Sequence, residues 1–210
     1  MEGGHFKFPP TPELVACVTD NSRPIAQRMR AVFYLRTVGG DVAVEALCTA
    51  LKNKSGTCLF RHETAYVLGQ MEARGAVPDL IAVLNDSSDD TIVRHEAGEA
   101  LGAIADPASL AVLDERASDV LPEVAETCQI AAQRVRWSMA RAAGAADECN
   151  LRDNPFHSID PAPSARKPTR EDVPTFRAQA RRVGVVRGSQ PHMAFPLHVT
   201  AAARRVPAPI

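Results

Sequence analysis

No apolar stretch in this 210-residue chain approaches the roughly 20 residues needed to span a bilayer, which excludes a helical membrane protein. Cysteines are few and never spaced as C-x-x-C. The five (Cys17, Cys48, Cys58, Cys128, Cys149) are scattered and odd in number, so neither a disulfide framework nor a thiolate zinc site is indicated, and a reducing compartment is expected. The stretch Met1 to Phe6 has neither the basic nor the apolar block of a secretory signal, so the expected location is cytoplasmic. Net charge is almost absent, at -1, but that value conceals two regimes. Residues 151–210 carry ten basic against four acidic side chains, and residues 1–150 carry fourteen against twenty-one.

Hydrophobic residues at 45% and charged residues at 23% are ordinary for a soluble domain, and the length suffices for one core with an appendage. The basic segment is that appendage. It holds nine of the 16 prolines and little sustained periodicity, so residues 138–210 are expected to form a Pro/Arg-rich linker and a disordered tail. Such a tail can meet nucleic acid through phosphates, but no aromatic platform or nucleic-acid fold accompanies it, and nucleic-acid binding ranks last among the readings.

Residues 12–137 are organised by a repeat of 33 residues. Arg28 to Leu35, Arg61 to Leu68 and Arg94 to Leu101 stand in the same register, as do Val44, Val77 and Leu110, and Leu47, Leu80 and Leu113. Within a unit, Ala65, Leu68 and Met71, then Val77, Leu80, Ile81 and Leu84, follow the spacing of a buried helical stripe. Arg74-Gly75-Ala76 and Ala105-Asp106-Pro107 separate two short helices in each unit, and Asn85 to Asp90 ends one hairpin before the next. Asp114 to Pro122 is expected to do the same, Glu123 to Trp137 to open a fourth unit, and Pro12 to Asp20 to cap the first. Units this small cannot bury their apolar faces alone, so the fold class is all-α, a HEAT-like α-solenoid of stacked hairpins.

Two consecutive units carry the same dipeptide at the same place, His62-Glu63 and His95-Glu96. Equivalent positions in a stacked solenoid line up along one surface, about 10 Å apart, so the two imidazoles could converge from adjacent helices. Imidazole with carboxylate and no thiolate is a ligand set for iron, zinc or manganese. Neighbouring residues diverge by about 100° on a helix, so one pair is expected to serve two ions or two sides of a site rather than chelate one ion. The competing reading of the same residues is a solvated polar rim copied by repeat duplication. Arg61 and Arg94 are expected to be packing or salt-bridge residues, because guanidinium does not bind cations. Gly69 and Gly102 are expected to permit close helix approach, and Tyr66 to be a core residue.

Arg61-His62-Glu63-Thr64-Ala65-Tyr66-Val67-Leu68-Gly69-Gln70-Met71 and Val93 to Ile104 closely resemble the metal-binding repeats of the deoxyhypusine hydroxylase family, and the resemblance extends over roughly residues 12–165. It implies a monooxygenase with two Fe(2+) ions per complete site. The implied reaction hydroxylates the deoxyhypusine side chain of eukaryotic translation initiation factor 5A to hypusine. It also implies that His62, Glu63, His95 and Glu96 are iron ligands. The acidic repeat region suits a cationic polyamine-like arm, with Glu99 as a candidate partner. The family has two similar halves and four His-Glu pairs, whereas this sequence has two pairs, so it matches the N-terminal half and would be inactive alone. Two copies paired across a two-fold axis, a homodimer, would rebuild a four-pair site. The alternative function is a non-catalytic HEAT-repeat scaffold that binds a protein on its concave face.

Overall fold

A computed structural model describes residues 9–144, and the part of the expected tail beyond residue 144 lies outside them. Eight α-helices follow in order: α1 (Thr11–Thr19), α2 (Ile25–Val38), α3 (Gly40–Lys52), α4 (Cys58–Gln70), α5 (Val77–Asn85), α6 (Thr91–Ile104), α7 (Leu110–Arg116) and α8 (Pro122–Ala142). Among the described residues there is no strand.

Local chemistry sets where these helices start and stop. The Thr57 hydroxyl accepts from the Phe60 N–H at the start of α4, and the Asp90 carboxylate accepts from the Ile92 N–H at the start of α6, each satisfying an otherwise orphaned donor. Prolines 12, 78 and 122 sit in the first turns of α1, α5 and α8, where a missing N–H costs nothing. The ends of α2, α4 and α6 obey the 33-residue register: Gly39, Glu72 and Ala105 all have positive φ, at 68°, 48° and 53°. A residue of positive φ follows each of these three helices, as Gly39 after α2, with ψ −168°, and as Ala105 in the left-handed helical region after α6.

The helices stack in two layers. Helices α2, α4, α6 and α8 pack in sequence in one layer, and α1, α3, α5 and α7 form the other. Leu35, Leu47, Leu51, Leu68, Leu80, Leu84, Leu101 and Leu113 are fully buried between them. Helix α1 lies against α2 and α3 and so caps the stack, as the sequence suggests. Gly69 sets the spacing at the centre: a Cβ there would stand 2.9 Å from the Ala100 Cα, so the backbones of α4 and α6 approach more closely than a side chain would allow.

Two boundaries differ from expectation. Helix α7 runs on through Asp114, Glu115 and Arg116, where a loop was expected, because all three find partners while helical. Asp114 pairs with Arg136, and Arg116 donates to Asn85 and to Glu115. Helix α8 continues past Trp137 to Ala142 in a run of helix-favouring residues, with Gly144 at φ 90° beyond it.

The arginines that recur every 33 residues tie the units together. Arg61 donates from Nε to the Leu51 carbonyl and from its terminal nitrogens to both Asp89 oxygens, at 2.5–2.6 Å. Arg94 repeats the device, reaching the Leu84 carbonyl and Asp119. Arg28 reaches the Val18 carbonyl and lies over the Phe60 ring, 3.9 Å from its centroid. Each arginine therefore links the end of the preceding hairpin to its own helix, and Arg61 and Arg94 also tie in the loop that follows their hairpin. The rotation of α4 and α6 is fixed one residue before His62 and His95.

Candidate metal centre

Arg61 and Arg94 point into the seams between units, so the residues that follow them come out about 100° further round their helices, on the exposed side of the α4–α6 layer. The structure brings the two His-Glu pairs together there. His62 Nε2 on α4 lies 2.9 Å from Glu96 Oε2 on α6. The Glu96 side chain is 5% exposed and that of His62 21%, so this bond closes the floor of the site. Glu63 stands beside His62, with Oε1 3.4 Å from Nδ1. On α6, His95 Nε2 lies 3.6 Å from Glu99 Oε2, one turn further along.

Donor atoms of His95, Glu96 and Glu99 all lie within 4.8 Å of one another. The expectation that neighbouring His and Glu diverge therefore holds for their Cα–Cβ directions and not for their tips. Both side chains are long enough to curl back toward a common point, where Glu99 joins them from i+4 of His95. The sequence suggests Glu99 as a partner for a cationic substrate arm, and the structure sets it beside His95. Its signal in the sequence is the i, i+4 spacing alone.

The carboxylates around His62 favour its protonated form. Burial disfavours the charged form of His62, but the hydrogen bond and charge of Glu96, reinforced by Glu63, outweigh it and hold the imidazole pKa above its ordinary value. The Nδ1 atom of His62 is buried and makes no well-formed hydrogen bond, since its contact with Glu63 is long. An orphaned nitrogen facing the Glu63 carboxylate suits a cation or proton that the two share. Burial pushes the thiols of Cys48 and Cys128 up to about 12, so both are protonated near neutrality. Two imidazoles with carboxylate oxygens match a borderline transition metal such as iron.

Tyr66 is half-buried and packs against the core, and its other side lines a narrow crevice with Gly69, Gln70, Glu96 and Glu99. A larger cavity, about 860 Å³, opens elsewhere along α3, lined by Arg36, Asp41, Glu45, Cys48, Lys52 and Asp79, and shares no residue with the His-Glu cluster.

Comparison with known proteins bears directly on this arrangement. Residues 45–133, from within α3 to within α8, match the HEAT repeats family. Deoxyhypusine hydroxylase of Danio rerio is 43% identical over 162 residues, covering 77% of this chain and 51% of that protein. The Homo sapiens protein of the same name is 43% identical over 150 residues, 71% of this chain and 47% of that one. The chain resembles the deoxyhypusine hydroxylases. A solved structure of human deoxyhypusine hydroxylase in complex with glycerol superposes with a TM-score of 0.66 at 39% identity, over 80% of this chain and 55% of that one. The likeness to deoxyhypusine hydroxylase thus extends to the stacked hairpins that present the two His-Glu pairs. The chain spans about half the length of the curated relatives it matches.

Proposed function

We propose that this chain supplies one half of a deoxyhypusine hydroxylase site, with His62, Glu63, His95 and Glu96 as iron ligands. The observation that carries this reading is the 2.9 Å contact of His62 with Glu96 across two helices, together with the convergence of His95 and Glu96 on one point. When bound, iron supplies the redox chemistry needed to activate dioxygen toward an unactivated side-chain carbon, which protein acids and bases cannot do. Glu96 is the shared donor, facing His62 on one side and His95 on the other, and its burial keeps water from competing for it. Glu63 holds the outer edge beside His62. Tyr66 and Glu99 line a narrow crevice beside the site, and the half-exposed Glu99 carboxylate is the group there that can meet the cationic arm of a deoxyhypusine side chain. The substrate is then a protein, translation initiation factor 5A bearing deoxyhypusine.

The family pattern of four His-Glu pairs and the two present here define what else is required. The remaining donors would come from a second set of hairpins, and a second copy of the chain related by a two-fold axis supplies them in the correct number. The test combines turnover with assembly. Full-length chain loaded with Fe(2+) without oxygen, then given oxygen, a reductant and factor 5A carrying deoxyhypusine, should yield product heavier by one oxygen atom. It should do so as a species of twice the 22.6 kDa chain mass. Iron-free monomer with no product contradicts the reading and leaves a non-catalytic HEAT scaffold in its place.

A further inference from the structure

The two histidines make parallel contacts in the stack. His62 on α4 meets residue 96 on α6, and His95 on α6 meets residue 127 on α8. Helix α8 begins 31 residues after α6, so Thr127 occupies on α8 the place that Glu96 occupies on α6. The Thr127 hydroxyl oxygen lies 2.6 Å from His95 Nδ1, and the Glu123 carbonyl oxygen, one turn earlier on α8, lies 3.4 Å from the same nitrogen. A carbonyl oxygen can only accept a hydrogen bond. An unprotonated Nδ1 would set its lone pair against that oxygen, whereas a protonated Nδ1 donates to the threonine hydroxyl beside it.

We infer that Thr127 is a positioning residue for the metal centre, holding His95 in the Nδ1–H tautomer so that its Nε2 lone pair is aimed at the cluster. The inference rests on the reading of His95 as an iron ligand. Its geometry accounts for two observations together. Nε2, left as the bare nitrogen, faces the Glu99 carboxylate at 3.6 Å, an arrangement of two electron-rich atoms that a shared cation makes favourable. The hydroxyl on α8 also ends the run of carboxylates: it orients the ring without adding another negative charge. Ring nitrogens that bind metals are commonly fixed in this way by a partner on the other nitrogen, and loss of that partner costs about 10–100-fold in metal affinity. At Gly98 the two helices are close, since a Cβ there would stand 3.4 Å from the Thr127 γ-methyl and from Cys128 Sγ, in van der Waals contact with both.

The test uses the full chain and two variants, T127V, which keeps the shape and removes the hydroxyl, and T127S, which restores it. In metal-free protein at about pH 8.5, where free imidazole is neutral, long-range nitrogen-15 spectra should show His95 as the Nδ1–H tautomer in wild type and T127S, and as a mixture in T127V. Anaerobic titration with Fe(2+) should show T127V binding about 10–100-fold more weakly, with T127S close to wild type. The inference is overturned if wild-type His95 carries its proton on Nε2, or if T127V matches wild type in tautomer and in iron affinity. A wild-type chain that takes up no iron overturns the ligand reading itself, a result distinct from iron uptake that is indifferent to residue 127.

Discussion

Three residues 33 apart share a positive φ and meet it with unequal success. Gly39 meets the positive φ at the end of its helix without strain, while Glu72 and Ala105 adopt it with a Cβ present. Ala105→Gly should therefore stabilise the fold by about 0.5–1 kcal/mol, read as a higher urea midpoint at unchanged slope. The buried ion pairs act in the opposite sense when broken. The Arg61 and Asp89 side chains are 4% and 3% exposed, so Asp89→Ala, which leaves a guanidinium unpaired, should cost about 3–5 kcal/mol in the same assay. Hydrogen bonds from Arg61 and Arg94 hold the carboxyls of Asp89 and Asp119 below the ordinary 3.8. A carboxyl depressed in the folded state stabilises fully above its unfolded pKa. Stability should therefore fall as pH drops below 3.8 through the lower folded values, and the fall should be shallower in Asp89→Asn. That His62, Glu63, His95 and Glu96 share one surface was legible in the sequence because a repeated dipeptide in repeated register is a local signal. The place of Glu99 beside His95 and the contact of Thr127 with His95 were not legible: one depends on side-chain reach along a helix, the other on how α8 settles against α6.

At the scale of helices, the contact between α4 and α6 decides whether the cluster exists. Its spacing is set by Gly69, whose Cβ position is 2.9 Å from backbone that has no rotamer with which to yield. Gly69→Ala should force the helices apart and cost about 1–3 kcal/mol of stability. It should also lengthen the His62–Glu96 contact, seen as weaker Fe(2+) binding in a calorimetric titration, whereas an alanine at Gly75, where a Cβ would meet only Val44 at an ordinary 3.8 Å, should leave binding unchanged. The hairpin order was readable because the apolar spacing is helical and repeats. The end of α7 was not, since it depends on partners 22 to 31 residues away, Arg136 for Asp114 and Asn85 for Arg116.

At the scale of the molecule, stacking converts a sequence repeat into a chemical surface. Neither hairpin alone brings an imidazole to a carboxylate of another helix, and the 33-residue period does so once the arginines fix the rotation of successive helices. The same logic limits the chain: two His-Glu pairs provide one set of donors, where the resemblance to deoxyhypusine hydroxylase calls for two. The central claim is that these donors grip iron together. X-ray absorption at the iron edge of anaerobically loaded full-length protein tests it most directly, compared with the variant in which His62 and His95 are both alanine. The account predicts a nitrogen and oxygen shell with the outer scattering of imidazole in wild type and loss of bound iron in the double variant. Equal iron in both proteins, or a wild-type spectrum without imidazole scattering, would contradict it.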